Sequence, residues 1–395
     1  MSDSDSDDMV WERKSAAARS SGDTTSASSC AQAGAVAATA ARFGAAPAAA
    51  DASIERLPTD AYGFFQDELP WAAPTAAQLA GQAELDEARG PKWLKMTGSA
   101  AGGLEGYRQS ARHHPAKLKR RLRKGVPNEW RPVVWRQALD AAAAQRSAFP
   151  ATFAALAARA DAPRSAAEIE TNEIIERDLA RTYPRHRLFC RSNERGAASL
   201  RKVLRAYAAH DRGCGYCQGM AFIAAVLLMY TDDDEDAFWL LSSCMSNRVC
   251  NLRVLFLPGM VAAKRCFFVF DRLLARFAPR LAKHLDRCGI VSPMFVTNWY
   301  LTVFSASFPF ELVVRVWDMF FTEGWKPVHR VACALLMVDE KKYLAMDFEG
   351  IMMSFRTLPE QVDVHSVLDV ALAIPMTNSM IDGLTKEFDR NEGAQ

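Results

Sequence analysis

From Gly125 onward, apolar side chains recur at intervals of three and four residues, and this periodicity restricts the chain to helical folds. Leu200, Val203, Leu204 and Tyr207 follow the spacing of a half-buried amphipathic helix. The sequence has no sustained alternation of apolar and polar residues and no strand–helix–strand order, which disfavours a parallel sheet or a sandwich. Prolines divide the pattern into short units, at Pro127, Pro184, Pro258, Pro293, Pro309 and Pro359. The sequence therefore predicts an all-α fold of a dozen or more helices.

The most apolar segment runs from Gly219 to Tyr230. Within it, the residues from Met220 to Leu228 are apolar on every side of a helix, which predicts a buried central helix. The segment is shorter than the ~20 residues that a helix needs to cross a bilayer. We therefore expect no transmembrane segment here.

The composition indicates an ordinary globular protein, with 50% apolar and 24% charged residues and a formal net charge of +2. This balance gives no overall field that would favour nucleic acid as a partner. The nine cysteines are scattered and odd in number, which argues against a disulfide-stabilised secreted protein. The N-terminus is acidic and serine-rich, unlike a basic and apolar signal peptide. A cytoplasmic protein is expected.

The N-terminal third divides into two regions. Residues 1–55 are predicted to be a disordered, low-complexity segment, because they are rich in serine and then alanine and lack large core-forming side chains. Residues 56–119 form an upstream segment whose aromatic residues, among them Tyr62, Phe64 and Trp93, could pack on a neighbouring body.

A basic run crosses the end of this upstream segment, at Arg112, Lys117, Lys119, Arg120, Arg121, Arg123 and Lys124. One interpretation is a solvated helix face. The other is a contact surface for acidic lipid or for a GTPase, since clusters of this kind attract negatively charged partners. The sequence leaves both open, and with them a peripheral association with membranes.

Asp178 and Arg181 are three residues apart in a helical pattern and share one face, so the carboxylate can orient the guanidinium. Pro184 disfavours helical geometry at Tyr183, which predicts that this helix ends within a residue or two of Arg181. An arginine at this place has two interpretations. It either offsets the negative end of the helix dipole, or it is held ready for a functional contact.

Gln218 lies in a glycine-rich loop, Arg212 to Gly219, directly before the apolar helix. Glycines permit tight turns and close approach by a partner, and a loop anchored on a rigid helix holds its side chains in place. The loop is either purely structural, with Gln218 bonded to nearby backbone, or it presents Gln218 to a ligand.

Cys214 and Cys217 form a C-x-x-C pair in the same loop, which raises the alternatives of redox chemistry and of half a zinc site. A helical segment precedes the pair where a redox motif would follow a strand, and two further clustered zinc ligands are missing, so no metal site is expected. The chain also has no phosphate-binding loop of the G-x-x-x-x-G-K-[ST] type and no G-x-S-x-G motif. It is therefore not expected to hydrolyse a nucleotide or an ester by itself.

Arginine and glutamine are the two groups that GTP hydrolysis on small GTPases most needs. A chain that offers both from separate loops could complete the active site of another protein without binding a nucleotide itself.

Three segments, in this order, resemble the TBC domain of Rab GTPase-activating proteins. Gly125 to Trp135 resembles the opening motif, with Arg131 and Trp135 at the R-x-x-x-W positions, Ile175 to Arg181 matches I-x-x-D-x-x-R, and Tyr216 to Gly219 matches Y-x-Q-G. Weaker similarities are Ala237 to Leu241, Pro309-Phe310, Arg315 to Asp318, Glu323 to Lys326 and Arg330 to Ala332, and Tyr62-Gly63-Phe64 resembles a segment found upstream of this domain in several relatives. The resemblance covers residues 120–375 and leaves 376–395 as a C-terminal tail.

The resemblance implies a V-shaped, multi-helix fold whose groove receives a GTP-loaded Rab, and a role in vesicle trafficking. It implies that Arg181 is an arginine finger, that Gln218 orients the attacking water and that Asp178 restrains Arg181. The supporting positions are Arg131, Trp135, Thr182, Tyr216 and Gly219. GTP and Mg²⁺ would be carried by the Rab, so the chain would be an activator without a cofactor or a self-contained reaction. The alternative within the same resemblance is a Rab-binding scaffold that does not accelerate hydrolysis.

Overall fold

The structure is a computed structural model and describes residues 59–65, 76–97, 104–140, 145, 152–162, 165–191, 193–231 and 233–392. The segment 1–55, predicted to be disordered, lies outside the described residues. The side chains of residues 76–83 and of residue 104 are also outside them.

The described part of the chain is built from α-helices. The first nine are α1 (Ala76–Thr97), α2 (Leu104–His113), α3 (Pro115–Lys124), α4 (Arg131–Leu139), α5 (Phe153–Asp161), α6 (Ala166–Leu179), α7 (Glu194–His210), α8 (Met220–Met229) and α9 (Asp234–Ser246). They are followed by α10 (Val261–Phe277), α11 (Pro279–Arg287), α12 (Pro293–Leu301), α13 (Phe310–Glu323), α14 (Trp325–Met337), α15 (Glu340–Leu344), α16 (Phe348–Gln361), α17 (Val364–Ala373) and α18 (Asn378–Glu392). Two 3₁₀ helices, Asn128–Trp130 and Leu252–Phe256, complete the set.

These helices confirm the predicted all-α class. In the described residues the only extended pairings are two isolated bridges, Thr59 with Phe65 and Phe64 with His186. Of the prolines expected to divide the helices, Pro293 begins α12 and Pro309 directly precedes α13, but Pro359 lies inside α16. Pro359 is two residues from the end of α16, so the helix loses only one backbone hydrogen bond, near its last turn.

The core is centred on α8, all of whose residues are buried, as the apolar run predicted. It packs against α7 and α9 and contacts α6. On α7, the predicted stripe of Leu200, Val203, Leu204 and Tyr207 is buried. The C-terminal end of α6 and the start of α8 therefore lie close together beside the apolar core. The loop of Arg181 begins at the first, and the loop of Gln218 ends at the second.

The C-terminal region packs on the same body. Helix α18, which covers most of the tail predicted from residue 376, lies against α10 and buries Phe388. No single helix in the described residues is long and apolar enough to cross a membrane, while α17 and α18, bent by 84°, meet the length and composition criteria only as a pair.

Candidate functional site

The carboxylate of Asp178 lies where the two candidate loops meet. It stands in the last turn of α6 and is 4% exposed. Its Oδ1 accepts hydrogen bonds from Nε of Arg181 at 2.8 Å and pairs with Nη2 at 2.8 Å. Its Oδ2 accepts hydrogen bonds from the hydroxyl of Tyr216 and from the backbone N–H of Gly219 at 3.3 Å. One buried carboxylate thus joins the loop of Arg181 to the loop of Gln218.

Helix α6 is fixed at both ends. At its start, the Ser165 side chain accepts a hydrogen bond from the N–H of Glu168 at 3.2 Å, an N-cap that satisfies one of the unpaired amides. At its end the helix stops at Leu179, within the limits that the sequence predicted. The hydroxyl of Thr182 donates to the carbonyl of Asp178 at 2.7 Å and caps the last turn.

Arg181 projects from this helix end toward solvent. Its backbone N–H donates to the carbonyl of Asp178 at 3.2 Å, and its side chain is 47% exposed. Since Nε and Nη2 face Asp178, the third nitrogen, Nη1, has no hydrogen bond to a described residue and is available to a partner. The carboxylate therefore fixes the guanidinium plane without covering it.

Gln218 lies at the surface, directly before α8, while its neighbour Gly219 is buried. Gly219 has a φ of 102°, in the region that favours glycine, and a Cβ atom there would lie 3.2 Å from Cγ2 of Thr302. The N–H of Gly219 donates to the buried carboxylate of Asp178, which fixes the backbone at Gly219. The side chain of Gln218, one residue earlier, is exposed to solvent.

The far end of the Gln218 loop is anchored by Asp211, a residue that sequence reasoning missed. Its carboxylate accepts two hydrogen bonds from Arg253, at 2.6 and 3.0 Å, and one from the N–H of Cys214 at 3.2 Å. The hydroxyl of Tyr207 donates to it at 3.2 Å. Because Arg253 lies more than 40 positions downstream in sequence, no local pattern could reveal this anchor.

The thiols of this loop lack the activation that redox chemistry requires. Cys214 and Cys217 are unoxidised and half-buried. Burial raises the pKa of Cys214 to about 11 and raises the pKa of Cys217 above its ordinary value. Reactive C-x-x-C pairs have lowered thiol pKa values. Among the described residues, no group of His, Cys, Asp or Glu could hold a metal ion.

Tyr216 is part of the Asp178 network. Burial raises the pKa of its hydroxyl above the ordinary value, and the hydrogen bond to Asp178 raises it further. The phenol is therefore neutral at physiological pH and acts as a hydrogen-bond donor to the carboxylate.

Arg131 and Trp135 form a second, fully buried cluster around Asp318. Arg131 binds Asp318 through Nε and Nη2, each at 3.2 Å, and Nε1 of Trp135 donates to the same carboxylate at 2.9 Å. Burial opposes the charge of Arg131, but the Asp318 carboxylate keeps the pKa of the guanidinium above its ordinary value. The two residues are thus separate from the Asp178 hydrogen bonds. Sequence reasoning missed Asp318 as their partner, although an aspartate inside the apolar helix α13 was a signal.

The basic run is divided between packing and exposure. In α3, Leu118 and Leu122 are buried, and Lys119 and Arg123 form ion pairs with Glu323 at 3.5 and 2.9 Å. The exposed lysines and arginines of this region are Lys92 and Lys95 on α1, Arg108 and Arg112 on α2, and Lys117, Arg120 and Lys124 on α3.

Comparison with known proteins bears on this arrangement. Residues 128–344, more than half of the chain, match the family model of the Rab-GTPase-TBC domain. The chain belongs to this family. The Rab-GTPase-TBC match includes Asp178, Arg181, Gln218 and Asp318, and it confirms the resemblance inferred from the motifs. The predicted limits of the domain, 120 and 375, are wider than the matched range and stay a prediction.

Individual Rab-GTPase-TBC relatives support the assignment. The "Ecotropic viral integration site 5 protein homolog" of Homo sapiens is 30% identical over 274 residues, which cover 69% of this chain and 32% of the human protein. The "Growth hormone-regulated TBC protein 1-A" of Danio rerio is 34% identical over 280 residues, covering 70% of this chain and 73% of that protein. This chain thus spans about a third of the human relative and most of the Danio rerio one.

Among solved structures, the "Chlamydomonas flagellar RabGAP TBC domain" matches with a TM-score of 0.60 and 26% identity. The match covers 80% of this chain and 98% of the Chlamydomonas chain. The helical body described above is therefore the TBC-domain fold.

Proposed function

We propose that this chain activates GTP hydrolysis by a GTP-loaded Rab GTPase, supplying Arg181 and Gln218 to the Rab active site. The observation that carries the proposal is the Asp178 carboxylate, which binds both Arg181 and the backbone of Gly219 next to Gln218. The partner would bring GTP and Mg²⁺, and the chain itself would need no cofactor.

The physical chemistry of phosphoryl transfer fits this division. The transition state spreads charge over the phosphoryl oxygens and needs positioning rather than covalent help, and an arginine supplied in trans accelerates it by ~10³–10⁵. That factor corresponds to roughly 4–7 kcal/mol of barrier. Arg181 meets the requirement because Asp178 orients its planar group in advance while Nη1 stays available.

Gln218 completes the site from the second loop. Its amide carries both a donor and an acceptor, so it can hold the attacking water and orient it toward the phosphoryl group. Its exposure lets it enter a partner's pocket, and the buried Gly219 beside it limits the movement of the backbone.

The test is multiple-turnover GTP hydrolysis over a panel of Rabs, with the chain as catalyst. We expect Arg181→Ala to lower kcat/KM by at least about a hundredfold, and Gln218→Ala to lower it strongly as well. The control is Arg177→Ala, which removes an exposed arginine one turn earlier on α6 and should leave the rate unchanged. Full stimulation by Arg181→Ala would remove Arg181 from the mechanism.

The rival is a scaffold that binds the GTP form without accelerating its turnover. It would be favoured if the unaltered chain captured a GTP-loaded Rab stably and changed no rate. A redox protein is a weaker rival because of the raised thiol pKa values. Replacing Cys214 and Cys217 together by serine should leave stimulation within about twofold of the unaltered chain.

A cytoplasmic activator of vesicle trafficking must reach membranes, and the exposed cations on α1 and α3 suit acidic lipid. Partial desolvation and the charges of Arg121, Lys92 and Arg120 lower the pKa of Lys124, which shows that these cations lie close together. Lys117→Glu with Arg120→Glu should weaken sedimentation with phosphatidylserine-rich vesicles. The matched control is Arg280→Glu with Lys283→Glu on the exposed face of α11. Equal loss in both pairs would indicate only a net-charge effect.

A further inference from the structure

Residues 59–65 form a short turn before the first helix that is closed by its own hydrogen bonds. The carboxylate of Asp60 accepts hydrogen bonds from the N–H groups of Tyr62 and Phe64, both at 2.9 Å. The N–H of Asp60 donates back to the carbonyl of Phe64 at 2.8 Å, and Gly63 has a φ of 94°. These hydrogen bonds lie within the turn and stabilise its shape.

This turn lies directly on the loop that follows Arg181. The N–H of Phe65 donates to the carbonyl of Arg185 at 3.1 Å, and the N–H of Arg187 donates to the carbonyl of Gly63 at 3.0 Å. Such paired backbone bonds resemble a single rung of a β-ladder. They hold the loop from one side along its backbone.

His186 adds a side-chain bond to the same contact. Its Nδ1 accepts from the N–H of Leu188 at 3.1 Å, so the proton is on Nε2, which donates to the carbonyl of Tyr62 at 2.9 Å. Complete burial lowers the pKa of His186 to about 3, so the ring stays neutral. The ring also packs edge-on against Phe64, at 4.8 Å between centroids.

Tyr183, two residues after Arg181, has a φ of 45°, a strained conformation for an aromatic residue. Its hydroxyl donates to the carbonyl of Ser305, and its ring packs edge-on against Phe64 at 5.6 Å and Phe222 at 5.4 Å. A residue keeps a strained conformation only where contacts with its neighbours hold it there. Phe64, which is 1% exposed, makes one of these contacts with Tyr183.

The other side of the turn touches the opening motif of the domain. The carbonyl of Ala61 accepts from the side chain of Asn128 at 3.3 Å, and Asn128 in turn accepts from Arg131 at 3.0 Å. The rings of Tyr62 and Phe64 also pack on Phe310, the first residue of α13. The turn therefore connects the Arg131 cluster with the loop that follows Arg181.

We propose that residues 59–65, which we call the N-terminal clamp, position Arg181 for catalysis by holding Tyr183 and His186. The inference rests on the proposed function and deepens it. Asp178 holds the guanidinium from the helix side, and the clamp fixes the backbone that leaves Arg181 in the other direction. The clamp residues act through Tyr183 and His186 and are therefore positioning residues.

The test compares single-residue variants of the whole chain. Phe64→Ala empties the contact with Tyr183 and His186, and Gly63→Ala is a second, smaller change, because its Cβ would lie 2.8 Å from Nε2 of His186. The control is Phe388→Ala, which removes a buried phenylalanine that packs on Phe268 of α10. Amide hydrogen exchange over residues 181–187 and steady-state stimulation of a responsive Rab are measured for each.

We expect faster exchange at residues 181–187 in both clamp variants and a fall in kcat of about tenfold or more in Phe64→Ala, with KM for the Rab changed less than about threefold. Phe388→Ala should leave both readouts as in the unaltered chain. Unchanged exchange, or faster exchange with an unchanged kcat, overturns the proposal, as does an equal kcat loss in the control. If the unaltered chain stimulates no Rab, the proposed function is refuted, and with it the catalytic role of the clamp. The hydrogen-exchange data would still show separately whether the clamp holds residues 181–187.

Discussion

Replacing Asp178 by asparagine should lower both the stimulated rate of GTP hydrolysis and the free energy of unfolding, each through a different oxygen of the carboxylate. The two carboxylate oxygens have different tasks, since Oδ1 faces Arg181 and Oδ2 faces Tyr216 and the N–H of Gly219. An amide has only one acceptor oxygen, and it will turn that oxygen to the two buried donors. Its NH₂ group then opposes the guanidinium, donor against donor, and Arg181 is released.

The expected loss of unfolding free energy follows from how exposed the partners of each carboxylate oxygen are. The Arg181 ion pair is half exposed, so its loss costs less than about 1 kcal/mol of the free energy of unfolding. On the buried side, two hydrogen bonds to a charged acceptor become bonds to a neutral one, which costs about 1–2 kcal/mol together. The total loss of unfolding free energy should therefore be about 1–3 kcal/mol. Loss of the preset guanidinium should lower kcat by about 10–100-fold, or roughly 1.4–2.7 kcal/mol of barrier.

Chemical denaturation and stimulated GTP hydrolysis measure the two quantities on the same preparation. Glu176→Gln is the matched control, because it makes the same carboxylate-to-amide change two residues earlier on α6, away from Arg181. The Glu176 carboxylate accepts from Arg201 and Arg205 and is 40% exposed. It should change stability slightly and leave kcat unchanged.

The double variant Asp178→Asn with Arg181→Ala decides the mechanism. If Asp178 acts through Arg181, the double variant will be no slower than Arg181→Ala alone. The reasoning is refuted if Asp178→Asn retains the full rate, or if its loss multiplies with that of Arg181→Ala as for two independent sites.

Three further outcomes are expected. In urea denaturation, Gly219→Ala should lower the free energy of unfolding by about 1–3 kcal/mol more than Gly215→Ala does. A Cβ at Gly215 meets no atom, and an alanine tolerates the φ of 63° at Gly215 better than the φ of 102° at Gly219. Equal losses in the two variants would contradict this. Asp318→Asn should cost about 3–5 kcal/mol or prevent folding, because it leaves a buried guanidinium without its counter-charge, and a Tm within a few degrees of the unaltered chain would be evidence against it. Burial lowers the pKa values of His186 and His329 to about 3, so the stability that these neutral rings contribute is complete above pH ~6.5 and is lost as the pH falls, by about 1.4 kcal/mol per pH unit for each ring. A flat stability profile between pH 6.5 and 5, in denaturation at fixed salt, would contradict that assignment.

The helical class and the central position of α8 follow from the sequence alone, because apolar periodicity is a property of neighbouring residues. The end of α6 was also accessible, since Pro184 constrains the backbone of Tyr183 directly. The chemistry of the site was less accessible. Arg181 and Gln218 each had a structural alternative when taken singly, and only the ordered motifs of the family placed them together.

The tertiary structure decided which groups share a carboxylate. Asp178 meets Tyr216 and Gly219 across about 40 positions of sequence, and Arg131 meets Asp318 across 187. Tyr62 of the N-terminal clamp bonds to His186 across 124 positions, where the sequence analysis predicted only that the aromatic residues of this segment could pack on a neighbouring body. Periodicity and turn chemistry act over a few residues and fix which elements form. The pairing of distant polar groups depends on how those elements pack, since a buried charge is tolerated only where packing supplies its partners.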